Sequence, residues 1–201
     1  ALGGDGNITL PLLRAASKAH SDLVVVHIDA HTDTYRGDGN QDYMRFNVAT
    51  TFTRAAEEAL IDVESSIHVG ARGPTNDSGV FNHTRDVGYG LIDSTELFNA
   101  GLRNTAKNIV ESLKGRSVYL CFDMDFFDPS CAPGVCTPTW GGATSREGLD
   151  FLQNLTGLNL VGADINTVSP PHDISGMTAF LAATVGLEIL SVICHSKGLV
   201  E

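Results

Sequence analysis

Two apolar runs limit the kind of fold open to this chain. Leu23-Val24-Val25-Val26-His27-Ile28 and Val118-Tyr119-Leu120-Cys121-Phe122 are short, rich in β-branched and aromatic residues, and almost uninterrupted by polar ones. Such runs read as buried strands. Each ends directly on acidic residues: Asp29-Ala30-His31-Thr32-Asp33 follows the first, and Asp123-Met124-Asp125 follows the second. Four carboxylates and an imidazole are therefore expected at the carboxyl ends of two strands, where open α/β sheets place their sites.

Strand-like and helix-like segments alternate along the rest of the chain, which predicts an α/β fold with a parallel sheet. Helices are expected over 8–20, 49–60, 94–113, 146–155 and 175–192, with Ser94 and Ser145 as caps. Further strands are expected over 66–71, 87–92 and 158–163, with Asp164 just past the last of them. The stretch 73–85 is polar and has no clear period. Two long loops, 30–47 and 126–144, are rich in Asp, Asn, Gly and Pro; loops of that length are usually functional. No repeat, low-complexity tract or linker interrupts the chain, so residues 1–201 are expected to form a single domain. Ala1-Leu2-Gly3-Gly4-Asp5 reads as a strand end and its turn, without an initiator Met. The expectation is a fragment lacking its N-terminal strands.

The 201 residues, 42% hydrophobic, suffice for one full core. A net charge of −11 with no basic run argues against nucleic acid or an anionic membrane as partner. Cys121, Cys131, Cys136 and Cys194 lack CxxC spacing and are expected to be free thiols in a reducing, cytoplasmic compartment. The sequence shows no signal peptide and no evident membrane-length apolar run.

In an extended strand end, alternate residues point the same way. Asp29, His31 and Asp33 are spaced by two, as are Asp123 and Asp125. Two such groups on neighbouring strands can enclose two divalent cations roughly 3.5–4 Å apart, and a water shared between the cations would serve as nucleophile. Four carboxylates match two divalent cations, whereas one cation would leave two carboxylates uncompensated in a partly buried site. Carboxylate and imidazole donors suit Mn(II), Fe(II), Ni(II) or Zn(II). The plainer reading, aspartates as turn formers and caps, suits any one of them; it suits less well two clusters that each follow a strand.

These motifs resemble those of the ureohydrolases, the arginase and agmatinase superfamily. Leu2-Gly3-Gly4-Asp5, Ile28 to Asp33, Phe122 to Pro129, Ala132-Pro133-Gly134, Gly141-Gly142, Gly162-Ala163-Asp164 and Val168-Ser169-Pro170-Pro171 carry the resemblance across nearly the whole chain. It implies a three-layer α/β/α fold with a mostly parallel eight-stranded sheet, and a homo-oligomer (trimer or hexamer). It also implies a binuclear centre, Mn(II) first and Ni(II) second, that hydrolyses a guanidino or formimino carbon–nitrogen bond. By the same resemblance Asp29 and Asp123 bridge the metals, His31 and Asp125 complete one site, and Asp33 completes the other and shuttles a proton to the leaving nitrogen.

Three positions depart from the family pattern. Gly6 stands where a histidine ligand is expected. Thr167, beside Asn166, stands where an acidic residue meets the guanidinium. Val48-Ala49, just after Asn47, stands where the pattern has His-Gly. Trp140, the only tryptophan, lies in the Gly-rich loop and offers a face for a planar guanidinium. Trp140, Thr167 and Asn47 are the candidate substrate contacts, in a branch acting on an agmatine-like compound or a small guanidine. His27 reads as a support or core histidine and His68 as structural; His172-Asp173 lines the pocket or fixes a turn. Arg72-Gly73 orients a loop, and Phe126 and Phe127 pack beneath the acidic loop. The competing functions are a formiminoglutamase-like hydrolase, which needs a basic residue for its substrate's carboxylates, and a weakened homologue acting as a partner subunit.

Overall fold

In the computed structural model, which describes residues 1–38 and 42–199, five strands form one all-parallel sheet. They are β1 (Leu23–Ile28), β2 (Ile67–Val69), β3 (Gly90–Ile92), β4 (Ser117–Asp123) and β5 (Leu160–Asn166), in the spatial order β3-β2-β1-β4-β5. The helices are α1 (Thr9–Ala16), α2 (Asp42–Arg45), α3 (Thr51–Glu57), α4 (Val80–Val87), α5 (Ser94–Ala100), α6 (Leu102–Ser112), α7 (Ser145–Gln153) and α8 (Met177–Ser196). At least one helix lies between each strand and the next, as parallel pairing requires. The resemblance to eight-stranded proteins is met here by five strands, with residues 1–3 lying along the outer edge of β5. There Gly3 N donates to Ile165 O at 3.0 Å and Ile165 N to Ala1 O at 3.1 Å.

The central strands are buried on both faces, which explains their unbroken hydrophobicity. Val24, Val26 and Ile28 of β1 and Val118, Leu120 and Phe122 of β4 share one core with Ile109, Phe151, Leu152 and Val185. The intervening Leu23, Val25, Tyr119 and Cys121 face a second core built on Leu10, Leu13, Phe52 and Ala55. The two strands pair in register, Ile28 opposite Phe122, so Asp29 and Asp123 emerge level with each other. Phe126 and Phe127 are buried against Phe122 beneath the acidic loop.

Several local expectations are corrected. The segment 73–85 contains the start of α4. Its inward positions are Val80 and the buried Thr84, whose hydroxyl returns to Val80 O at 2.8 Å and so hides the helical period from a hydrophobicity count. The helix expected over 94–113 is two, divided at Gly101, whose φ of 83° and ψ of 131° no helix contains. Capping boxes place the N-caps at Asp93 and Thr144, one residue before Ser94 and Ser145. Asp164 lies inside β5; its buried carboxylate accepts from Tyr119 Oη at 2.8 Å, Asn166 Nδ2 at 2.8 Å and Thr9 Oγ1 at 3.2 Å, so the strand tolerates it. The helix expected over 175–192 extends to Ser196. That 20-residue α8, with mean hydropathy 2.0, is long and apolar enough to cross a membrane by length and composition, contrary to the reading of no such run. Its Val185, Ile189 and Val192 are buried in the fold, while Phe180, Leu187 and Leu190 face outward. The four cysteines are free.

Gly70 ties the fold to the acidic loop. Its φ is +103°, and an added Cβ would stand 2.7 Å from the Phe126 ring and 3.0 Å from Asp29 O. Gly70→Ala is expected to destabilise the protein by about 2 kcal/mol or more. A urea midpoint equal to that of the unsubstituted protein would refute this account of the contact.

Candidate metal centre

The spatial order of the sheet reverses between β1 and β4, the point at which such sheets open a ligand crevice. The acidic clusters meet there. Asp29 Oδ1 accepts from His31 N at 2.5 Å, and Ala30 N donates to Asp125 Oδ1 at 3.1 Å, which laces the two strand ends together. His31 Nδ1 lies 3.2 Å from Asp29 Oδ1 and 3.1 Å from Asp125 Oδ2. Potential ligand atoms of Asp29, His31 and Asp125 all lie within 4.8 Å of one another, as do those of His27, Asp29 and Asp33. Asp123 is buried beside them and accepts from Asp125 N at 2.7 Å.

A surrounding layer orients these groups. His27 Nε2 stands 2.9 Å from Asp29 Oδ2, and its Nδ1 stands 2.8 Å from His68 Nδ1. Burial and the neighbouring His27 pull the His68 pKa well below its ordinary value, so His68 is neutral and the tautomers of the two rings set which Nδ1 carries the shared proton. Thr137 Oγ1 donates to Asp125 Oδ2 at 2.9 Å. Thr139 Oγ1 lies 3.4 Å from His31 Nε2, so the tautomer that leaves Nδ1 free for a cation can donate to Thr139.

The carboxylates disturb one another's titration. Burial, reinforced by the charge of Asp29, raises Asp33 well above the ordinary carboxylate range. Burial with Asp125 and Asp29 nearby does the same to Asp123, and burial with Asp29 raises Asp125. Burial also works against a charge on Asp29, but His27 and His31 outweigh it and hold its pKa low. His31, opposed by burial, is pushed up to about 11 by its bonds to Asp125 and Asp29. Crowded carboxylates that raise one another's pKa, with an imidazole between them, are a donor set suited to a divalent cation of hard or intermediate character.

The centre opens into a cavity of about 670 Å³ whose wall includes His31, Asp33, Tyr35, Asn47, Thr139 and Trp140. Trp140 is among the residues lining the cavity and is 73% exposed. Asn47 is at the wall with its amide already engaged: Oδ1 accepts from Ala49 N at 3.0 Å, and Nδ2 donates to Met44 O at 2.9 Å and to Tyr43 O at 3.1 Å. Thr167 lies deeper, with its hydroxyl donating to Asp123 Oδ1. Its φ of 66° is an unusual conformation for a β-branched residue, of the kind that clusters at functional sites. A Cβ at Gly6 would stand 3.6 Å from Asp33 Oδ2 and 3.8 Å from Val48 Cβ, so two of the three departures from the family pattern face each other beside Asp33.

Sequence reasoning did not give His27 its contact with Asp29, although the spacing by two already runs 27, 29, 31, 33. Nor did it show how Arg72 is held, for which no local pattern exists.

The chain is similar to known proteins along nearly its whole length. The family model described as "Arginase family" matches residues 1–191. A guanidinobutyrase from Pseudomonas aeruginosa is 37% identical over 195 residues, covering 96% of this chain and 59% of that protein. An agmatinase from Photorhabdus laumondii is 40% identical, covering 97% and 59%. The solved structure of proclavaminate amidino hydrolase from Streptomyces clavuligerus superposes with a TM-score of 0.88 at 35% identity, over 97% of this chain and 63% of that one. The chain thus spans about 59% of the length of the guanidinobutyrase.

A cation entering the centre must displace the proton that His31 holds at neutral pH. Mn(II) affinity is therefore expected to rise with pH between about 5 and 8, with proton release on binding. Calorimetry in buffers of different ionisation heat measures both, and a pH-independent affinity would refute this ligand set.

Proposed function

We propose, since the chain belongs to the arginase family, that its acidic centre hydrolyses a carbon–nitrogen bond in a small guanidino compound and releases urea. The observation that carries this reading is the convergence of Asp29, His31 and Asp125 on one point, with Asp123 behind them and Asp33 at the cavity wall. Asp29 and Asp123 would hold two divalent cations together with His31 and Asp125 on one side and Asp33 on the other; Mn(II) is the first candidate and Ni(II) the second. When bound, such cations supply Lewis acidity and bring the pKa of water towards neutrality.

The chain's own residues supply the rest. The carboxylates attract a guanidinium and offset its delocalised charge. Asp33, at the cavity wall, is placed to pass a proton to the leaving nitrogen. Thr167 holds Asp123 in place, and Thr137 holds Asp125. Trp140 offers its face to the planar cation. Asn47, with its amide engaged in capping, contributes shape to the wall.

Substrate class follows from charge. Among the described residues, none of those lining the cavity is a lysine or arginine. A substrate carboxylate would find no lysine or arginine partner among them. This favours agmatine or a small guanidine over guanidinobutyrate or formiminoglutamate. One observation supports a second reading, a weakened homologue: neither Gly6 nor Val48, which face each other beside Asp33, offers a donor.

A urea-release assay with guanidine, agmatine and guanidinobutyrate, in Mn(II) and Ni(II), separates these readings. Activity on agmatine or guanidine is expected; tight metal binding with no urea from any substrate would favour the weakened homologue. Trp140→Ala is expected to weaken substrate binding by about 1–2 kcal/mol, roughly 5- to 30-fold in KM, with Mn(II) affinity kept. Unchanged KM would rule out stacking. Calorimetry should show one tight and one weaker Mn(II) equivalent, and Gly6→His should tighten the weaker one by about 10-fold or more. Two tight equivalents in the unsubstituted chain would sink that asymmetry.

A further inference from the structure

Arg72 is a buried cation held entirely by main-chain oxygens. Its Nε donates to Trp140 O at 3.3 Å and its Nη1 to Gly70 O at 3.3 Å. Nη2 is within hydrogen-bonding distance of Asp125 O at 2.8 Å, Thr139 O at 2.8 Å and Phe127 O at 3.3 Å, sharing two hydrogens among three acceptors. Its own N donates to Ala30 O at 2.8 Å. The guanidinium thus joins three segments: the end of β2, the turn that carries Asp125, and the Thr139–Trp140 wall of the cavity. Burial draws its pKa down while Asp125, Asp29, Asp128 and Asp123 pull it back, and an arginine in such a field stays charged.

The surroundings are shaped to admit it. A Cβ at Gly142 would stand 2.4 Å from Arg72 Nη2 and 2.6 Å from Phe126 O, so the second glycine of the Gly141-Gly142 pair leaves room for the guanidinium. A planar fork of five N–H donors fits carbonyls arriving from several directions; a lysine ammonium, with three donors at one point, does not.

We propose that Arg72 is a positioning residue that locks the Asp125 turn and the Thr139–Trp140 wall into one body, so that cation uptake at the carboxylates is transmitted to the face that meets the substrate. The inference rests on reading the acidic centre as a cation site. Trp140, the only tryptophan, reports on the wall directly.

Acrylamide quenching of Trp140 is measured on the full chain with and without Mn(II), alongside calorimetric Mn(II) binding on the same samples. In the unsubstituted protein Mn(II) is expected to lower the quenching constant by about twofold as the wall tightens. Arg72→Gln and Arg72→Lys are expected to bind Mn(II) within about tenfold of the unsubstituted affinity yet to lose the quenching response. With agmatine, KM should rise about 10-fold in both while kcat falls less. Rescue by Arg72→Lys would show that charge alone suffices and would overturn the proposal. So would an unsubstituted chain that binds Mn(II) with no change at Trp140, a result that needs no variant to fold. No Mn(II) binding by the unsubstituted chain would overturn the cation reading and this inference with it.

Discussion

Electrostatic crowding at the β1–β4 strand ends is the constraint on which the site depends. Asp29, Asp33, Asp123 and Asp125 share one enclosed space, and a group of like charges out of water is unfavourable without compensation. The fold meets that demand in three ways. Main-chain N–H groups of residues 30, 31 and 125 point at carboxylate oxygens. His27 and His31 stand against Asp29. The remaining carboxylates move their pKa upward. A donor set so prepared gains by taking a divalent cation, which links the cost of assembling the site to its proposed chemistry.

The sheet brings the charges together and the loops decide what they face. Parallel pairing of β1 with β4, in register at Ile28 and Phe122, aligns the two acidic turns. Behind them Phe122, Phe126 and Phe127 form a stiff apolar floor. In front, the 137–140 segment touches the centre three times, through Thr137 on Asp125, Thr139 beside His31, and the carbonyls of Thr139 and Trp140 on Arg72. The wall that faces a substrate and the groups that would hold a cation are thus parts of one hydrogen-bonded unit.

Gly6, Val48 and Thr167 adjust that unit. Gly6 and Val48 leave Asp33 with an apolar and open neighbourhood on one side, while Thr167 supplies a neutral donor to Asp123. The centre is asymmetric as a result: the side of Asp29, His31 and Asp125 has an imidazole and firm hydrogen bonds, and the side of Asp33 faces Gly6 and Val48, which bring no donor.

The sequence by itself determined the two central strands, the acidic residues at their ends and the family, because unbroken hydrophobic runs and spacing by two are local patterns that survive without knowledge of the fold. It missed α4 and merged α5 with α6, because an inward threonine and a single glycine carry little hydrophobic signal. It could not decide that Asn47 would spend its amide on a helix cap, that Thr167 would turn to Asp123, or that Arg72 would gather carbonyls from positions 70 to 140. Those outcomes depend on which distant main-chain atoms arrive beside a side chain, and hydrogen-bond partners so far apart in the chain are chosen only when the tertiary structure closes around them.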